Sequence, residues 1–206
     1  MTPFSNDPEL TEAWESLPDP FIIRIRGERG TAKSVVASVL CRGYLDRGRS
    51  VSVILVGSTL REFLCRAAGV GVLFYGDLVL RRMTIDVLDG GSSVGEVCDR
   101  VHIAAREHRP IVLLDDVSRL KMEQHSPSGL AADLIPTTKI GGMIIVGGTA
   151  DLDGGAIPDL EIVLTREGRP VELSRADAHM GVVRPAHGEI IRFLHVGADG
   201  FNVWAE

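Results

Sequence analysis

The sequence predicts an α/β fold, a mostly parallel central sheet flanked by helices with antiparallel strands added toward the C-terminal end. Three observations carry this. Short apolar runs bounded by turn residues alternate with stretches at helical spacing, the pattern of a parallel sheet with crossover helices. The first run, Phe21 to Arg26, breaks into the octet Gly27-Glu28-Arg29-Gly30-Thr31-Ala32-Lys33-Ser34 and resumes as a helix. A later run, Ile111-Val112-Leu113-Leu114, ends in Asp115-Asp116.

Composition bounds what such a fold could do. A chain of 206 residues with 45% hydrophobic residues fits one domain, and residues 1–20 read as an N-terminal extension of it. The net charge of −6 argues against a dedicated nucleic-acid binder, which would carry a basic stripe. Cys41, Cys65 and Cys98 are widely spaced and odd in number, so neither a disulfide framework nor a metal-binding pair is indicated, and they read as reduced core thiols. The six histidines include no zinc-type spacing. The start is too polar for a signal peptide and no apolar stretch is long enough to span a bilayer, so a cytoplasmic protein is expected.

Pro8 to Trp14 forms a short helix with Asp7 as cap, Trp14 and Leu17 lying on the body, or else a loose tail. The alternation of Phe21 to Arg26 reads as a strand, and Gly27 lets the chain turn at its end. The octet keeps the spacing G-x-x-x-x-G-K-[ST] of a phosphate-binding loop, with Ala32 in place of the second glycine. Backbone N–H groups from Arg29 to Val35 then form an anion nest at the positive end of a helix. Lys33 reaches the terminal phosphates and the Ser34 hydroxyl holds a magnesium ion. Candidate nucleotide-binding residues are therefore Gly27, Glu28, Arg29, Gly30, Thr31, Ala32, Lys33, Ser34 and Val35. The alternative is a chance turn, which the order strand, Gly, Lys-Ser, helix disfavours.

Val36, Val39, Leu40 and Tyr44 mark one helix face, which Gly48 ends, and Val51 to Val56 is a buried strand. Thr59 or Ser58 caps a helix to about Ala68 with Leu60, Phe63 and Leu64 inward. Gly69 to Gly76 reads as irregular. Leu78 to Val87 reads as a strand near the sheet edge, interrupted by Arg81-Arg82, an exposed pair that discourages aggregation or else holds a phosphate or a partner's carboxylate. After the turn Asp89-Gly90-Gly91-Ser92, a helix with Val94, Val97, Val101 and Ala105 on one face runs to near His108-Arg109-Pro110. The run ending in Asp115 delivers a carboxylate toward the magnesium, and Asp116 is a solvated or capping acid. Val117 to Pro127 reads as polar and mobile, Leu130 to Ile135 as a short helix, and Gly142 to Gly148 as another buried strand. Leu160 to Thr165, Val171 to Leu173, Glu189 to Val196 and Phe201 to Trp204 read as a terminal antiparallel addition.

With these motifs the chain resembles the RecA-like P-loop NTPases of the KaiC group, and among them the archaellum accessory ATP-binding proteins of the FlaH kind. The likeness rests on GERGTAKSV, STLREFL, IVLLDDVS and HGEIIRFLHVGADGF, and covers the chain from Asn6 onward. It implies ATP and Mg2+ as ligands, the metal held by Ser34 and Asp115. It also implies partners: further copies of the chain, as a homo-oligomer or hexameric ring, or proteins of a motor complex, with membrane association only through a partner. Two departures bear on activity. KaiC-like enzymes carry glutamates at the end of the second strand as general base, where this chain has Val56 and Gly57, and Glu62 is poorly placed to substitute. Their rings offer a neighbour a K-x-R pair, where this chain has His179-Met180-Gly181 with Arg184 nearby. No catalytic residue is assigned.

Three functions compete: an ATP-binding protein with slow or absent hydrolysis serving as a nucleotide-dependent regulatory or assembly component, an active ring ATPase or P-loop phosphotransferase, and a nucleotide-free structural relic. A DNA recombinase is disfavoured by the acidic balance and the absence of a basic or aromatic loop between Val117 and Gly142.

Overall fold

The computed structural model describes residues 8–106, 109–121, 134–136, 138–148, 158–166, 178–184, 189–197 and 200–203, with side chains described between 11 and 164. Its centre is a nine-stranded sheet in the order β3-β2-β4-β5-β1-β6-β7-β8-β9. The strands are β1 (Phe21–Gly27), β2 (Val51–Val56), β3 (Met83–Leu88), β4 (Ile111–Asp115), β5 (Gly142–Gly147), β6 (Leu160–Arg166), β7 (Ala178–Arg184), β8 (Glu189–Gly197) and β9 (Gly200–Val203). The first six pair in parallel and the last three add antiparallel. The helices are α1 (Pro8–Glu15), α2 (Lys33–Asp46), α3 (Leu60–Ala68), α4 (Tyr75–Val79) and α5 (Val94–Ala104).

The period of two in the strands divides the core. Ile23, Ile25, Val53, Leu55, Leu113, Ile144 and Val146 pack with Val36 and Leu40 of α2, while Ile54, Val56, Val112, Leu114, Met143 and Ile145 pack with Val97 and Val101 of α5. Each such side chain contributes roughly 1.5–3 kcal/mol on burial. Trp14 and Leu17 join the first layer, so the N-terminal segment is a docked helix and not a loose tail. The Trp14 ring centroid lies 5.0 Å from that of Tyr44, and the Arg47 guanidinium sits 3.6 Å from the ring centre. Asp7, the expected cap, lies outside the described residues.

Several expectations need correction. Leu160 to Thr165 is not part of an antiparallel addition: β6 lies parallel to β1, with Arg24 opposite Glu161. Glu161 is buried and accepts from Arg24 Nε at 2.7 Å, with Arg26 Nε at 3.1 Å, so an ion cluster fastens the two strands. β7 has no counterpart among the expected strands, and 171–173 lie outside the described residues. Leu78 and Val79 belong to α4, and Gly69 to Gly76 includes that helix's start. Arg81 takes a left-handed φ of 55°, which ends the helix, and the edge strand begins only at Met83. Arg82 therefore precedes the strand and pairs with Asp77 at 2.6 Å, beside Arg42 at 2.5 Å. Leu60, expected inward, is 42% exposed because α3 turns Phe63 and Ala67 to the core. α5 stops at Ala104, short of Pro110. Of the stretch Val117 to Pro127, expected as polar and mobile, Val117 to Arg119 is a 3-10 turn with Val117 and Leu120 buried, and 122–127 lie outside the described residues. Of the expected core thiols Cys41 is buried, Cys98 is partly buried, and Cys65 is exposed.

Candidate anion and metal site

The carboxyl ends of β1, β2 and β4 bring the candidate residues together. Gly27 ends β1 where no side chain fits: a Cβ there would lie 2.5 Å from Leu164 O and 2.7 Å from Thr31 Oγ1. Thr31 is fully buried and donates its hydroxyl to Glu28 O at 2.8 Å, closing the loop on itself. Gly30 takes φ 87° and Ala32 φ 60° with ψ 22°. The second expected glycine thus stands where glycine's conformational freedom is used, and alanine bears the strain.

α2 begins at Lys33, directly after the loop, and no side chain caps it. Alanine is a poor N-cap, so the amide of Ser34 is left to a ligand or to water, at the positive end of a 14-residue helix. Lys33 Nζ donates to Gly27 O at 2.8 Å and to Glu28 O at 2.7 Å, lying across the loop on its own carbonyls. Glu28 and Arg29 are exposed, and Val35 N–H returns to Ala32 O at 2.9 Å.

Ser34 and Asp115 meet although 81 residues separate them, the Ser34 hydroxyl donating to Asp115 Oδ1 at 2.9 Å. Asp115 is 1% exposed and its other oxygen, Oδ2, has no hydrogen-bond partner among the described residues. Burial pushes this carboxyl above the ordinary carboxylate range; the Ser34 hydroxyl pulls it back, the Asp116 charge adds to the rise, and Arg66 and Lys33 oppose it. A buried carboxylate oxygen without a hydrogen-bond donor, beside a hydroxyl and near the N-terminus of α2, suits a hard oxygen-seeking cation such as Mg2+. Asp116, joined to Asp115 by a cis peptide, accepts from Ser118 N at 3.2 Å and serves as the cap of the 3-10 turn.

At the end of β2 the residues are Val56, fully buried, and Gly57, φ 62°. Glu62 accepts from Thr59 N at 2.8 Å and Thr59 Oγ1 at 3.0 Å in a capping box, which holds its carboxyl below the usual range and commits it to the helix start. Thr59 is thus the cap, while Ser58 is buried with no partner for its Oγ among the described residues. Arg119 donates from Nη1 to Gly57 O, a contact that sequence reasoning misses. Its one advance signal is a glycine at a strand end. His179, Met180, Gly181 and Arg184 lie on β7, away from these strands in the sheet order.

No family model matches the chain, and no curated protein matches it. Among solved structures it is similar to the flagellar accessory protein FlaH from Methanocaldococcus jannaschii, with a TM-score of 0.70 and 16% sequence identity over 98% of this chain and 97% of that one. This likeness shows the fold, a RecA-like α/β sheet of the FlaH type.

Proposed function

We propose that the chain binds ATP with Mg2+ on the loop Gly27 to Val35 and uses the bound state to control assembly, as a component of an archaellum-type motor in the cytoplasm. The observation that carries this is the Ser34 to Asp115 hydrogen bond, with an unpartnered buried Asp115 oxygen, at the start of an uncapped helix. Amides of the loop and first helical turn would take phosphate oxygens. Lys33 would exchange the Gly27 and Glu28 carbonyls for the terminal phosphates, and Ser34 and Asp115 would hold the metal. Bound there, Mg2+ neutralises phosphate charge.

Slow or absent hydrolysis fits the same geometry. Val56 and Gly57 supply no carboxylate at the end of β2, and Glu62 is engaged by its own helix cap. Occupancy then acts as a signal to its partners, which we take to be further copies of the chain in a ring or the proteins of a motor complex. The FlaH-type fold supports the archaellum setting. Thermal melting tests the binding: Mg·ATP at a hundred times its dissociation constant should add about 2.7 kcal/mol to the folded state. An unchanged melting curve at millimolar Mg·ATP would remove the reading.

A further inference from the structure

Arg119, like Lys33, rests on a backbone carbonyl. Its guanidinium donates to a neutral carbonyl, Gly57 O, and its nearest carboxylate oxygen, Asp116 Oδ2, lies 3.8 Å away, beyond hydrogen-bond reach. The other Asp116 oxygen is taken by Ser118, whose amide and hydroxyl both donate to it. Gly57 takes φ 62°, which favours glycine, and the Arg119 side chain lies over it, Cδ 2.9 Å from where a Cβ would stand. Beside it, Ser58 is 7% exposed and its hydroxyl is without a partner among the described residues. The Arg119 side chain is 42% exposed and paired with Asp116 only at 3.8 Å, so it keeps charged donors available to an anion, and the Ser58 hydroxyl adjoins Gly57 in the chain.

Their position names the anion. Leu55 lies opposite Asp115 in the β2 and β4 register, so Gly57, two residues further along, sits past the same end of the sheet as the loop, about 4.8 Å to the side of Asp115 and about 6.6 Å beyond it. An anionic oxygen competes well against Gly57 O, because it adds full opposite charge to the guanidinium and can accept from two of its N–H groups at once. The backbone of Arg119 is also tied to the turn that opens α5. Its carbonyl accepts from Gly91 N at 2.8 Å, and two residues on, Lys121 N donates to Ser92 O at 3.1 Å.

We propose that Arg119 leaves Gly57 O for the terminal phosphate of the bound nucleoside triphosphate, and through Gly91 transmits that contact to the turn before α5. The proposal rests on the reading that the loop holds ATP. It makes Arg119 a phosphate-binding residue supplied by the same chain, one that distinguishes triphosphate from diphosphate.

Calorimetric titration of the full chain with Mg·ATP and with Mg·ADP tests it in wild type, Arg119→Ala, Arg119→Gln and Arg119→Lys. The Gln variant still donates to Gly57 O while lacking the charge, so it carries the test if the Ala variant fails to fold. The expected result is ATP affinity lowered about tenfold or more in Ala and Gln, partly restored in Lys, with ADP affinity held within about twofold. In wild type, amide exchange at Gly91 should differ between the ATP-bound and ADP-bound chains. Equal loss for both nucleotides, no loss for either, or identical Gly91 exchange in the two states would overturn the proposal while leaving the ATP reading intact. Wild type that binds neither nucleotide would overturn both.

Discussion

Ala32 carries the largest departure of the octet from its motif, and its cost is local. An L-residue at φ 60° gives up about 1–2 kcal/mol relative to a right-handed conformation, and glycine removes that strain while gaining freedom in the unfolded chain. Ala32→Gly is therefore expected to stabilise the protein by about 0.5–1 kcal/mol in urea unfolding and to tighten ATP binding. A destabilised variant would show that the methyl packs usefully.

Asp115 presents the opposite balance. Its carboxyl is raised by burial, so its proton is held more tightly in the fold than in the unfolded chain. It therefore lowers stability above that raised range and ceases to do so as pH falls through it. Asp115→Asn should melt higher than wild type near pH 7 without ligand, the difference closing as pH drops toward about 4. It should also lose Mg2+-dependent ATP binding. A variant that melts lower at neutral pH would mean the ionised carboxylate is better satisfied than its unpartnered oxygen indicates.

Among the elements, α1 gives the clearest energetic test. Trp14 is 2% exposed against Tyr44 near the far end of α2, a helix about 21 Å long, so its packing is remote from the loop. Trp14→Ala should cost about 3–5 kcal/mol in denaturant unfolding and leave ATP affinity unchanged. Lost affinity with preserved stability would contradict this separation. The elements also show what the sequence makes legible. The octet, the buried run to Asp115 and the spacing of Val36, Leu40 and Tyr44 are local signals, so β1, α2 and β4 can be read directly. The parallel partner of Leu160 to Thr165 cannot, because Arg24 and Glu161 meet only when strands 137 residues apart are paired. α4 escapes sequence reading because its buried position is an aspartate, Asp77, made tolerable by Arg42 and Arg82, while Tyr75 and Val79 face outward.

For the whole molecule, the sheet order places β5 between β1 and β4, so Ser34, on the helix that follows β1, and Asp115, at the end of β4, converge although the two strands do not touch. Both residues are legible in the sequence; that they bond each other, and that Arg119 lies over Gly57, requires the fold. The fold also bears on turnover: with Val56 and Gly57 closing β2, phosphate release from ATP by the isolated chain should stay well below about 1 s−1. Sustained faster release, abolished by Asp115→Asn, would establish an active ATPase instead.

The central claim is that the Gly27 to Val35 loop receives the phosphates of ATP, and calorimetric titration of Mg·ATP into wild type and Lys33→Ala tests it most directly. The account predicts saturable binding in wild type, weakened about tenfold or more by the substitution and dependent on Mg2+. An absence of binding heat in wild type at several temperatures, or the same isotherm from both proteins, would contradict it.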